Sequence, residues 1–131
     1  MNIDDVMEWI EIADKDLDSA ILLNEAARKH CEIICYHCAQ AVEKYLKAYL
    51  ICNGIIPKKT HDLRFLTHLC IELNKEFENI ITECSYLNKF SSDIRYPHEY
   101  QANEGDVIFS INAAQKIKKL KPINDLKTIK D

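Results

Sequence analysis

Two groups of residues in this chain have types and spacing that could do chemistry on a phosphate. The first is the run Asp93-Ile94-Arg95-Tyr96-Pro97-His98-Glu99-Tyr100. An arginine there can neutralise phosphate charge, and a histidine can move a proton at neutral pH. Arg95 as phosphate binder and His98 as acid/base are therefore the candidate catalytic pair for a phosphodiester. The plain alternative is a structural turn, with Arg95 paired to a carboxylate and His98 exposed. The second group is Lys44, Lys47, Lys58, Lys59, His61, Arg64 and His68. If these meet at the rim of one groove they form a basic pocket, with Lys44, Lys47, His61 and Arg64 as candidate nucleotide- or phosphate-binding residues. The alternative is ordinary solvated helix surface, where Lys44 with Gln40 and Lys47 with Glu43 act as i,i+4 pairs.

A third group is cysteine-rich. Cys31-Glu32-Ile33-Ile34-Cys35-Tyr36-His37-Cys38 fits C-x3-C-x2-C. It is similar to the iron–sulfur signature of the radical S-adenosylmethionine enzymes, in which three thiolates of one loop hold three irons. Here the cysteines fall at i, i+4 and i+7 inside a strong helical pattern. That is the spacing of a core stripe, and free cysteine packs as a small hydrophobe. A zinc site from His30, Cys31, Cys35 and Cys38 lacks a second Cys/His pair at finger spacing. No metal and no cofactor is expected.

The elements that must position these groups follow from composition and periodicity. The chain has 131 residues, the size of one domain, with only 2 Gly and 3 Pro. So little turn chemistry disfavours a sandwich or barrel. Gly54 and Gly105 stand alone, which disfavours a Gly-rich phosphate loop. An apolar share of 47% with few turns points to long helices. The first 27 residues carry eight acids against Lys15 and do not read as a signal peptide. No apolar run approaches the roughly 18 residues of a membrane span. The six cysteines read as reduced thiols and the location as cytoplasmic. A net charge of −4 disfavours a nucleic-acid coat, although Lys116, Lys118, Lys119 and Lys121 place four bases in six positions.

Five helices are expected, forming an all-α up-and-down bundle. The first covers about 4–28, capped by Asn2 or Asp4, with Val6, Trp9, Ala13, Leu17, Ala20, Asn24 and Ala27 on one stripe. The second covers about 31–53. Cys31, Cys35, Cys38, Val42, Tyr45, Leu46 and Tyr49 form its apolar face, Gln40, Glu43, Lys44 and Lys47 lie opposite, and Asn53-Gly54 stops it. The third runs from a Thr60 cap to about Asn74, with Leu63, Leu66, Cys70 and Leu73 inward. The fourth covers about 77–95, with Phe77, Ile80, Ile81, Cys84 and Leu87 inward, and ends before Pro97. The fifth covers about 104–120, capped by Asn103, with Val107, Ile108, Ile111 and Ala114 inward and Pro122 closing it. Residues 1–121 then make one bundle domain, and 122–131 a frayed C-terminal tail.

On these helices the residues resemble the HEPN domain family, in its small stand-alone prokaryotic type. The resemblance begins with Ala13-x2-Asp16-Leu17-x2-Ala20 and is strongest over Cys35-Tyr-His-Cys-Ala39-Gln40-Ala41-Val42-Glu43-Lys44-Tyr45-Leu46-Lys47-Ala48. It continues through Lys59-Thr60-His61-Asp62-Leu63 and ends with Arg95-Tyr96-Pro97. It implies a five-helix bundle, assembled as a homodimer and partnered by a minimal nucleotidyltransferase in a toxin–antitoxin-like module. It also implies binding of a nucleotide or RNA or, in other members, metal-independent endoribonuclease activity through an R-x4-6-H motif. Arg95 and His98 have two residues between them, one being Pro97, and Arg64 and His68 have three. In the ribonucleases Arg and His of both subunits converge on one phosphate, and a shortened, proline-stiffened turn need not present both. The leading expectation is therefore a binding subunit. An RNA-cleaving toxin using Arg95 and His98, or a pure interaction module without ligand, are the alternatives.

Overall fold

The computed structural model describes residues 2–57, 59–92 and 101–129. Among them six α-helices and three 3-10 segments form an all-α bundle, without a strand. The α-helices are α1 (Ile3–Asn24), α2 (Cys31–Cys52), α3 (Leu63–Leu73), α4 (Ile81–Leu87), α5 (Glu104–Lys119) and α6 (Lys121–Asn124).

Helix α1 starts where the Asn2 side chain accepts a bond from the Asp5 amide, and Asp4 and Asp5 sit at the positive end of its dipole. Its Val6, Ile10, Ala13, Leu17 and Ala20 are buried in one stripe. The helix ends at Asn24, four residues before the expected stop, and Ala27 lies outside it and exposed. The six residues 25–30 turn the chain back, so that α2 packs along α1. Helix α2 stops where expected. Gly54 takes φ +78°, and the Ile55 amide reaches back to the Leu50 carbonyl at 2.9 Å.

The largest departure from the sequence expectation concerns α2. It is the central helix, packed against α1, α3 and α5. Gln40, Glu43 and Lys47 are buried, not solvated opposite an apolar face. A helix with neighbours on three sides has no face left for water, so its polar residues must find partners inside.

Helix α3 is capped by Asp62 and not by Thr60. The Asp62 carboxylate accepts from the Arg64 and Phe65 amides, while Thr60 Oγ1 accepts from the Asp62 amide. The expected fourth helix is broken into a 3-10 stretch (Lys75–Ile80), α4, and a 3-10 turn (Asn88–Phe90). Asn74 caps the first piece through the Glu76 amide. Asn88 turns its side chain to the Leu63 amide at 2.9 Å, and the tightened turn that follows buries Phe90. Leu73 and Ile81, expected inward, are 41% and 47% exposed.

Helix α5 begins with a full capping box between Asn103 and Asp106. Its buried stripe is Val107, Ser110, Ala113, Ala114 and Ile117, which leaves Ile108 outside. Beyond it the described residues, as far as 129, are not a frayed tail. Pro122 sits at the start of α6, where its missing N–H costs nothing. Pro122, Ile123 and Leu126 are buried, with α6 against α2 and α5, and the 3-10 segment Asp125–Thr128 against α1. Two apolar side chains three residues apart close the open end of the bundle, each contributing about 2 kcal/mol by leaving water.

Candidate functional site

The polar residues of α2 are held from both sides. Three turns of one face carry His37, Gln40, Lys44 and Lys47. Lys44 forms an ion pair with Asp16 of α1, and His37 Nδ1 lies 3.4 Å from the other oxygen of the same carboxylate. Burial acts to raise the Asp16 pKa, but the hydrogen bonds and charges of His37 and Lys44 outweigh it and hold the carboxyl below its ordinary value of 3.8. The next residue along α2, Tyr45, donates its hydroxyl to Asp14, which also pairs with Lys118 of α5 at 3.3 Å. Burial and the Asp14 carboxylate together push the Tyr45 phenol up, so it remains a donor.

One turn further on, Lys47 donates to Glu43 at 3.1 Å and stands 5.6 Å from the Trp9 ring centroid. The other Glu43 oxygen is 2.8 Å from His61 Nδ1, in the loop between α2 and α3. Glu43 is thus the post that joins two of the predicted residues, Lys47 and His61. Gln40 donates to the Ser91 carbonyl and has no role on an open face.

The four predicted phosphate-binding residues do not gather at one point. Lys44 is bound to Asp16, Lys47 and His61 share Glu43, and Arg64 lies exposed on α3. Arg64 and His68, one turn apart, line a cavity of about 230 Å³ between α3 and α4 with Ser85 and Cys84. His68 is also 3.1 Å from Glu72. Lys59 is exposed. Lys58, Arg95 and His98 lie outside the described residues.

Cys31, Cys35 and Cys38 all lie on α2, and Cys35 and Cys38 are fully buried. Burial raises the Cys35 thiol to about 11 and raises Cys38 further. Both are core side chains. Among the described residues no three His, Cys, Asp or Glu side chains gather as a metal-ligand set.

The sequence reading gave Asp14, Asp16 and His37 no role in the site, although Asp16 stands in the run Ala13-x2-Asp16-Leu17-x2-Ala20. Their signal was present but faint: Asp16 stands inside the Ala13, Leu17, Ala20 stripe, where an acid at the edge of a buried face needs a cationic partner across it. A second polar group also went unseen, in which Tyr86 donates to Asp106 and Lys89 stands 4.1 Å from the Tyr86 ring centroid. The hydrogen bond from Tyr86 is the first cause of the lowered Asp106 pKa, and burial with the same carboxylate raises Tyr86 to about 12.

Comparison with known proteins agrees with this architecture. The family model described as HEPN domain matches residues 6–124. A crystal structure of an archaeal HEPN homologue superposes with a TM-score of 0.67 at 26% identity, covering 94% of this chain and 95% of that one. A crystal structure of a protein from Thermus thermophilus superposes with a TM-score of 0.71 at 21% identity, covering 92% and 97%, a likeness of fold. No curated protein matches. No helix among the described residues is long and apolar enough to cross a membrane.

Proposed function

This chain belongs to the HEPN domain family, and from that premise we propose that it is a nucleotide- or RNA-phosphate-binding accessory subunit of a nucleotidyltransferase/HEPN module, acting as a homodimer. The observation that carries the reading is Arg64 on the wall of an open cavity beside His68 and Ser85. A guanidinium presents a fixed fork of donors to phosphate oxygens, and an imidazole and a hydroxyl add donors at its side.

In this reading Arg64 makes the direct phosphate contact from the α3 side, with His68 and Ser85 beside it. Lys47 is buried against Glu43 and holds His61 in place through that shared carboxylate, and Lys44 adds positive potential from its pair with Asp16. Paired lysines contribute less to an anion than free ones, because part of their field is already cancelled. The contact made by Arg64 therefore dominates.

Titration of the purified protein with ATP, GTP and a short single-stranded RNA tests the reading, with Arg64→Glu as comparison. Binding weakened at least tenfold in the variant, with an unchanged thermal melt, supports it. Absent binding, or equal binding by the variant, overturns it. Light scattering reads the dimer, and co-purification with a nucleotidyltransferase reads the partner. RNA cleavage in EDTA by the wild type and not by His98→Ala would instead assign the chain as an endoribonuclease.

A further inference from the structure

The basic run at the end of α5 is divided by the fold. Lys116 turns to Glu83 and the Asn79 carbonyl, and Lys121 turns to Asp125. Lys118 and Lys119 turn the other way and line a cavity of about 310 Å³ between α1, α5 and the C-terminal segment. Lys127 lines the same cavity from the 3-10 segment Asp125–Thr128. Three lysines from two separate elements therefore line one concavity. This happens only because the C-terminal segment docks through Ile123 and Leu126.

The remaining lining describes what the cavity would take. Leu17 and Ile21 of α1 give it an apolar floor, and Gln115 and Asn124 add neutral hydrogen-bonding groups. Two carboxylates bear on it: Asp18 is in the lining, and Asp14 pairs with Lys118 at 3.3 Å. Lys119 and Lys127 are exposed, and no carboxylate among the described residues pairs with either. Their two charges are left over after Asp14 is set against Lys118, and Asp18 offsets one of them. The surplus is positive, on a molecule whose net charge is −4. A concave, partly apolar site lined by lysines suits an anion carried on a larger body.

We propose that this cavity is a second phosphate-binding site, which takes the phosphate chain of a small molecule between Lys119 and Lys127. The apolar floor at Leu17 and Ile21 receives the non-phosphate part of the ligand. Lys118 is the least available of the three, because Asp14 already holds it. The site shares its ligand class with the function proposed above but lies on different elements from Arg64, so each can fail alone.

The probes are inorganic tripolyphosphate and ATP, added to ¹⁵N-labelled full-length protein at low salt. Amide shifts are expected at Gln115, Lys118, Lys119, Asn124 and Lys127. Lys119→Glu/Lys127→Glu should weaken this binding at least tenfold, and Lys119→Gln/Lys127→Gln by a smaller factor. Both substitutions are on exposed side chains, so the thermal melt should not move. Raising salt from about 50 to about 200 mM should weaken the wild type and flatten the difference between variants. Shifts confined to other residues, or unchanged affinity in both double variants, overturn the proposal. Loss of these shifts in Arg64→Glu would also overturn it, because the two sites would then be one.

Discussion

Glu43 and Lys47, one helical turn apart on α2, form an ion pair of 3.1 Å that is closed to solvent, with Glu43 3% and Lys47 6% exposed. The same spacing on a surface helix contributes a few tenths of a kcal/mol. Buried, it makes each partner indispensable to the other, because a lone charge cannot be left in the core. The second oxygen of Glu43 extends the pair to His61 and so ties α2 to the loop that leads into α3.

Removing one partner of this pair is expected to be severe. Glu43→Ala strands the Lys47 ammonium in the interior and should lower stability by about 3 kcal/mol or more. Replacing both, as Glu43→Leu/Lys47→Met, should cost much less, because apolar side chains of similar volume need no partner. Urea midpoints of the three proteins at pH 7 check this. A double variant as unstable as Glu43→Ala would contradict the electrostatic account.

Asp16 should set part of the acid limb of stability. Its carboxyl is held below 3.8 in the folded protein by His37 and Lys44. A depressed carboxylate contributes stability above its unfolded value, and that contribution is lost as pH falls through the lower, folded value. Asp16→Asn should therefore be less stable than wild type at pH 7 and pH 5. The gap should close below about pH 3.8, where the wild-type carboxylate is protonated in the unfolded chain and then in the folded one. Denaturant unfolding at pH 7, 5 and 3 gives the comparison, and a gap independent of pH would disprove it.

The cysteines should divide by burial. Cys35, Cys38, Cys70 and Cys84 are buried, and Cys31 and Cys52 half-buried. Burial raises the thiols of Cys35 to about 11 and Cys84 to about 12, so almost no thiolate forms at neutral pH. A thiol reagent at pH 8 should label Cys31 and Cys52 in the native protein and all six cysteines after denaturation. Rapid native labelling of Cys38 would place it at a reactive site and not in the core.

The C-terminal segment should carry stability out of proportion to its length. Ile123 is fully buried and Leu126 nearly so. Ile123→Ala should cost about 3 kcal/mol, the range for emptying a core position. Lys127→Ala, on an exposed neighbour, should leave the melting temperature unchanged. Equal melting temperatures for Ile123→Ala and wild type would mean that the segment is not docked in solution.

Much of the fold was legible in the residues themselves. The i, i+3, i+4 spacing of Val6, Ala13, Leu17 and Ala20 names the buried stripe of α1 because helical geometry puts those residues on one side, whatever they pack against. Asn2, Asn103 and Gly54 mark helix ends for equally local reasons: a side chain that meets a free amide, and a backbone angle that other residues resist. The breaks in the fourth helix were less visible, because Asn88 is turned aside by the Leu63 amide, 25 residues earlier.

What only the tertiary structure decided is which polar residues are spoken for. Periodicity sorts a helix into apolar and polar faces but does not say how many neighbours surround it. Lys47 and Glu43 read as solvated because a helix with one buried face would leave them in water, yet α2 has packing on three sides. Lys116, Lys118, Lys119 and Lys121 read as one basic run, and the fold sends them to different partners. Charge pairing depends on distances across elements far apart in sequence. The chain's own order therefore determined most of the helices, while assembly determined where the fourth one breaks and which cations remain open to a ligand.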